Sequence, residues 1–276
     1  YLKNKKIKST QYKMLKKLEL SDTDHFTLIK YCKRKNINFL SSPFSIERFN
    51  LLNKLGLKII KIPSGEINNF PYLRHIGRFK KKIILSTGMS VLQEIKDALK
   101  ILISAGTPKK NITVLHCNTD YPTPLKDVNL NAMITIKKEL GVNVGYSDHT
   151  VDENVPVIAT ALGATIIEKH FTLNKNYSGP DHKASLSPRE AILMVNKIRK
   201  TEKCLGKKIK FITKSEKKNK DTIRKSLVAS KKIKKGEIFS EYNITTKRPG
   251  SGKSPMKWLT IIGTKSKKNY KKNDFI

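Results

Sequence analysis

Six short apolar runs constrain the fold more than any other feature of the sequence: "INFLSS" (37–42), "LKIIKIP" (57–63), "KIILST" (82–87), "ITVLHC" (112–117), "VNVGYSD" (142–148) and "ATIIEKHF" (164–171). Each has the length and the Ile/Val/Leu content of a strand. Between them lie amphipathic stretches such as "SIERFNLLNKLG", "VLQEIKDALKILISAG" and "NLNAMITIKKELG", several closed by a glycine that acts as a helix stop. A helix opened by "SDTD" (21–24) is expected before the first run, with Ser and Asp as caps. Another is expected in "SPREAILMVNKIRKTEKCLG", where Ser187 and Pro188 are placed to start it. Strands that alternate with helices in this way pair in parallel.

Two parallel architectures satisfy the count. One is an open doubly wound sheet, although its G-x-G-x-x-G signature is absent. The other is a (β/α)8 TIM barrel whose last six strand–helix units are present and whose first two strands lie upstream of Tyr1. The chain opens "YLKNKK" with no Met, so an upstream segment is expected. Past Gly206 the texture changes. A lysine-rich linker, 207–220, is followed from 221 to 276 by short β-like pieces, "KSLVAS", "KKIKKGEIFS", "YNITTKRPGSG" and "WLTIIGTK", broken by Gly or Pro. They predict a small β-rich domain of their own.

Composition narrows the function classes. No apolar run reaches the length of a membrane span, so a soluble protein with no membrane partner is expected. Cys32, Cys117 and Cys204 are odd in number and lack C-x-x-C spacing, which points away from a disulfide framework and toward a reducing, cytoplasmic setting. The net charge of +35 invites a nucleic-acid reading, but the lysines are spread through every helix and linker without interleaved aromatics. A solvated lysine-rich surface that attracts anionic substrates accounts for it, and no nucleic-acid partner is expected.

In a parallel barrel the C-terminal ends of the strands form the reactive face. Here they carry "FLSSPFS", "KIPSGE", "ILSTGM", "LHCNTDYPTP", "GYSDHT" and "EKHF". Ser42, Lys61, Ser64, Ser86 and Ser147 converge in this reading on one anion, with Gly65 and Gly88 letting backbone N–H groups approach it. A serine at such a place also caps the next helix, and it is the recurrence that favours an anion site. His149 and His170 end adjacent strands, within reach of a shared cation that leaves coordination positions open to substrate. Asp148, Glu168 and Asp181 are candidates to orient the two rings. Lys61 and Lys169 raise a Schiff-base aldolase as an alternative. His116 and Cys117 are adjacent strand residues and so point to opposite faces, which argues against a nucleophile pair.

The blocks "FLSSPFS", "KIPSGEINNFP", "ILSTGM", "HCNTDYPTP", "NVGYSDHT", "IEKHFTL", "GPDHKASL", "RKSLVASKKIKKGE" and "TTKRPGSG", in this order along nearly the whole chain, resemble the N-acetylneuraminate (sialic acid) synthase family, which includes legionaminic and pseudaminic acid synthases. The resemblance implies a barrel followed by an antifreeze-like SAF domain, with two strand–helix units before Tyr1. It implies condensation of phosphoenolpyruvate with N-acetylmannosamine or a related N-acetylated sugar, phosphate release, and a divalent metal, Mn2+ or Mg2+. It assigns His149 and His170 to the metal, and Lys61, Ser64, Ser86, Ser147 and Ser42 (where Thr is commoner) to phosphoenolpyruvate. Lys61, Glu66 and Asp181 become catalytic candidates, and Tyr121, Asp181 and Arg248 sugar contacts. Arg248 is delivered from the other subunit, so a domain-swapped homodimer is implied. A non-catalytic sugar- or polyanion-binding barrel remains the third reading.

Overall fold

The computed structural model describes residues 16–276. Its contacts divide the chain into two compact units that meet in sequence at Gly206 and Lys207.

The first unit opens with α1 (Asp22–Arg34), whose cap is reciprocal: Ser21 Oγ accepts from the Asp24 N–H at 3.1 Å, and Asp24 Oδ2 accepts from the Ser21 N–H at 2.9 Å. Then come α2 (Ile46–Lys54), β1 (Ile59–Ile62), α3 (Phe70–Gly77), β2 (Lys82–Ser86), α4 (Leu92–Ser104), β3 (Ile112–Cys117), α5 (Asn131–Leu140), β4 (Asn143–Asp148), α6 (Val155–Ala161), β5 (Ile167–Lys169) and α7 (Pro188–Leu205). All neighbouring strands are parallel, in the order β1-β2-β3-β4-β5. A doubly wound sheet would reverse its order at a switch point; a strictly sequential order is that of a (β/α) barrel.

Alternation along the strands separates two faces. Ile60, Ile62, Ile83, Leu85, Ile112, Val114, Val144 and Tyr146 are buried in one core with helix residues such as Phe49, Leu73, Leu99 and Ile136. Lys61, Ser86, Cys117, Ser147 and Glu168 occupy the alternate positions on the inner face. The sheet is curled, because the Lys61 ammonium on β1 reaches within 3.3 Å of the Glu168 carboxylate on β5.

Three expected strands differ. Residues 37–42 form no strand: no backbone ladder joins them to β1, and the segment is held by the Ile37 N–H, which donates to the Cys32 carbonyl at 3.0 Å, and by side chains. Phe39 packs on the core and stands edge-on to His25 at 6.0 Å, and the Tyr72 hydroxyl donates to the Pro43 carbonyl. So the parallel sheet has five strands among the described residues, not six. The "ATIIEKHF" strand is confined to Ile167–Lys169. "WLTIIGTK" opens as a short helix, α9 (Trp258–Ile261), because Trp258, Ile261 and Ile262 sit at i, i+3 and i+4 and pack together on the second core.

The second unit contains α8 (Lys214–Ile223), capped by Thr213 with Glu216, where the sequence had suggested only linker. Strands β6 (Ser226–Ala229) and β7 (Ile244–Lys247) pair antiparallel. Isolated bridges join Ile233 to Tyr270 and Ile238 to Lys265 around a core of Leu227, Ile233, Phe239, Ile244 and Tyr270. No helix among the described residues is long and apolar enough to cross a membrane.

Candidate active site

The C-terminal ends of β1 to β5 carry a continuous chain of contacts. Glu168 Oε2 lies 3.3 Å from Lys61 Nζ, and its Oε1 accepts from Ser147 Oγ at 2.7 Å. Ser147 Oγ stands 3.4 Å from His149 Nε2. The Tyr121 ring lies against His149 with centroids 4.0 Å apart and approaches His170 edge-on at 5.3 Å; the two imidazoles are themselves 5.3 Å apart. His170 Nδ1 is 3.7 Å from Asp181 Oδ2. Lys61, Ser147, Glu168, His149, Tyr121, His170 and Asp181 therefore form one cluster.

The turn after β1 and the ends of β2 and β3 are joined separately. Ser64, in the turn after β1, accepts from the Gly88 N–H at 2.9 Å and lies 3.5 Å from Cys117 Sγ. A Cβ on Gly88 would stand 2.5 Å from Thr119 Cγ2 and 3.0 Å from Ser64 Oγ, so a side chain here would displace Thr119 or the Ser64 hydroxyl; nothing lies within 4 Å of a Cβ added at Gly65. Ser86 ends β2 on the inner face, buried.

Local electrostatics fix the protonation of the rings. Burial pushes the His149 imidazole below its ordinary pKa, opposed by its bond to the Asn118 carbonyl. That bond, Nδ1 to oxygen at 2.5 Å, puts the N–H on Nδ1 and leaves the Nε2 lone pair free. Burial, with Cys117, Asp181 and Glu168 nearby, pushes the Tyr121 hydroxyl up to about 12, so it remains a donor at neutral pH. The loop that carries Asp181 is tied to the strand end: the Leu186 N–H donates to the His170 carbonyl at 2.9 Å, and His182 Nδ1 pairs with Thr172 Oγ1 at 2.8 Å.

Two expected site residues, Ser42 and Glu66, make no contact with this cluster, and a third, Arg248, belongs to the second unit. Ser42 lines a 540 Å³ cavity with His25, Ser41, Phe44 and Arg48, and none of the other anion candidates lines it. Glu66 is held by Asn69 Nδ2 at 2.6 Å. Arg248 belongs to the second unit, where its Nε donates to the Ile223 carbonyl at 2.9 Å.

Of the three acids expected to orient the His rings, only Asp181 approaches one. Glu168 serves Lys61 and Ser147, and Asp148 turns to the helix-facing side, where Lys169 Nζ meets it at 2.6 Å. The period-2 rule contained this signal: 147, 149, 168 and 170 share a face, whereas 148 and 169 share the other. The same rule separates His116, bonded to the Val128 carbonyl, from Cys117 on the inner face. Among the described residues no three His, Cys, Asp or Glu side chains converge on one point.

A parallel barrel arc that gathers a lysine, serines, paired imidazoles and carboxylates at the C-terminal ends of its strands is the arrangement of a barrel enzyme. Residues 1–210 match the NeuB family and residues 224–276 the SAF domain. The chain belongs to the NeuB family. It is 54% identical to the N,N'-diacetyllegionaminic acid synthase of Campylobacter jejuni over 97% of this chain and 80% of the relative. It is 40% identical to the enzyme of the same name from Legionella pneumophila, over 95% of this chain and 74% of the relative. Among solved structures, the N-acetylneuraminic acid (sialic acid) synthetase of Leptospira borgpetersenii superposes with a TM-score of 0.71 at 32% identity, covering 75% of this chain and 72% of that one.

Proposed function

We propose that the chain is a nonulosonic acid synthase, a transferase that condenses phosphoenolpyruvate with an N-acetylated sugar and releases phosphate. The diacetamido-trideoxy sugar that yields N,N'-diacetyllegionaminate is the preferred acceptor, ahead of N-acetylmannosamine, which would yield N-acetylneuraminate. The observation that carries this reading is the adjacency on one inner face of Lys61 and Ser147 to His149 and His170, in a chain whose Campylobacter relative is a legionaminic acid synthase.

The Lys61 ammonium, paired with Glu168 at 3.3 Å, offers its N–H donors to the phosphoenolpyruvate anion; Ser64, Ser86 and Ser147 supply hydroxyls to it. Carbon 3 of the enol attacks the aldehyde carbon, a C–C bond forms, and the aldehyde oxygen takes a proton to become a hydroxyl. Carbon 2 is left cationic until water adds to it and gives up a proton. The C–O bond to phosphorus-bearing oxygen then breaks, leaving a ketone and inorganic phosphate. Asp181 is the carboxylate beside His170 available for proton transfer, whereas Glu66, held by Asn69 apart from the cluster, has no partner in it; Tyr121 and Asp181 line the acceptor side.

The donor set fits a divalent metal shared with substrate. His149 is held neutral with Nε2 free, His170 stands 5.3 Å from it between ring centroids, and no third protein ligand closes the site among the described residues. His149 and His170 would hold Mn2+ or Mg2+, which when bound supplies Lewis-acid polarisation of the acceptor carbonyl. Arg248, from the SAF unit of a second copy in a domain-swapped homodimer, completes the sugar side. The three free cysteines suit a reducing cytoplasm.

Phosphate release from phosphoenolpyruvate tests the proposal, measured with Mn2+ or EDTA and with each sugar in turn. Release that needs both metal and the diacetamido sugar is expected; no release with either sugar overturns the synthase. Covalent trapping by borohydride with pyruvate would instead identify the Schiff-base aldolase, because only an imine is reduced to a permanent adduct.

A further inference from the structure

The last rung of the β4–β5 ladder pairs Asp148 with Lys169, one residue before His149 and His170. On the face toward the helices this rung is an ion pair almost sealed from solvent: Lys169 Nζ lies 2.6 Å from Asp148 Oδ2, with side chains 5% and 0% exposed. Both partners are bonded further, to Thr150. Asp148 Oδ1 accepts from the Thr150 N–H at 3.0 Å, and Lys169 also donates to the Thr150 carbonyl. Thus the residues flanking His149 are tied together, Asp148 supplying the carboxylate and Thr150 the bonded backbone, by a unit whose cation is the residue before His170. The preceding rung is clamped on the opposite face by Ser147 and Glu168 at 2.7 Å.

A buried ion pair adds little net stability over a well-packed apolar pair, so stability alone does not account for one here. We propose that Asp148 and Lys169 are positioning residues that set the gap between His149 and His170 and thereby the affinity for the divalent cation. They do so without touching metal or substrate. The proposal rests on the metal-dependent synthase reading, in which the two imidazoles are the ligands. A cation shared with substrate has only two protein nitrogens to fix it, so their separation is the quantity the protein must hold.

The test is Mn2+ binding, measured with the metal alone by calorimetry or by loss of the free-ion EPR signal. Three proteins are compared: the unsubstituted chain, Lys169→Met, and the double variant Asp148→Asn with Lys169→Met. The single variant strands a buried carboxylate and is expected to lose thermal stability. The double variant removes both charges and retains the fold, read from an unfolding transition close to the parent's. In the double variant the Mn2+ Kd is expected to rise by about 10- to 100-fold, with the deficit in kcat/KM recovered in part at saturating metal. A folded double variant that binds Mn2+ as tightly as the parent overturns the positioning role and leaves the synthase standing. A parent that binds no Mn2+ overturns both.

Discussion

Lys61 and Glu168 face each other at 3.3 Å although they belong to the outermost strands of the first unit's sheet. Four inter-strand steps of about 4.8 Å would hold those strands about 19 Å apart in a flat sheet, beyond the reach of a lysine and a glutamate together. Their contact is thus a measure of curl, and it also aims the ammonium across the site. Lys61→Met is expected to lower kcat/KM for phosphoenolpyruvate by about 10²-fold or more, while Lys61→Arg retains part of it. The check is steady-state phosphate release with circular dichroism of each variant; unchanged kcat/KM in Lys61→Met would remove this residue from the anion site.

Gly88 is a second place where close approach shapes the candidate site. Its N–H donates to Ser64 Oγ, and a methyl group there would stand 2.5 Å from Thr119 Cγ2. Gly88→Ala is expected to cost about 1–3 kcal/mol and to raise KM for phosphoenolpyruvate more than KM for the sugar. Gly65→Ala is the control, since nothing lies within 4 Å of the position. Thermal unfolding and the two KM values decide it, and equal behaviour of both variants would refute the crowding argument.

Much of this arrangement was legible in the sequence, and the losses have physical causes. Short apolar runs marked β1 to β5, because a parallel strand buried on both faces is such a run. Residues 37–42 have the same composition but no ladder partner, and composition cannot encode a neighbour. "WLTIIGTK" was misread because a four-residue helix is too short to show a period against β-branched content. At the site, Lys61, Ser147, His149 and His170 were found as residue types at strand ends. The partners of Glu168 were not, since its bond to Lys61 spans 107 positions and depends on curl.

Substitution of Arg248 offers a test that separates sugar from anion recognition. In its own unit it makes one backbone contact, from Nε to the Ile223 carbonyl, and is exposed. Arg248→Ala is therefore expected to change stability by no more than about 0.5 kcal/mol while raising KM for the acceptor sugar several-fold more than KM for phosphoenolpyruvate. Initial rates with each substrate varied in turn measure the split, and an equal rise in both constants would count against the sugar assignment.

Glu190 supplies a pH test of the helix that follows the Asp181 loop. It closes the capping box of α7 by accepting from the Ser187 N–H at 2.8 Å, and it meets Lys175 at 2.7 Å on that loop. The Lys175 bond first, then the Ser187 bonds, hold its carboxyl at about 2 instead of the usual 4.5. A carboxyl depressed on folding contributes stability that is fully present above the unfolded pKa and is lost as pH falls through the folded one. The window is therefore from about 4.5 down to about 2. The side chain is 36% exposed, so water and salt screen the pair and the effect is modest. Glu190→Gln is expected to unfold at slightly lower urea than the parent at pH 7, with the difference shrinking as pH drops below 4.5 and in high salt. Ser187→Ala, which removes the neutral half of the box, should cost about 1 kcal/mol at every pH in that range. A Glu190→Gln deficit that stayed constant between pH 7 and pH 3 would mean that the carboxylate's charge does not support the cap, and that the hydrogen-bond geometry alone holds α7 in place beneath the loop.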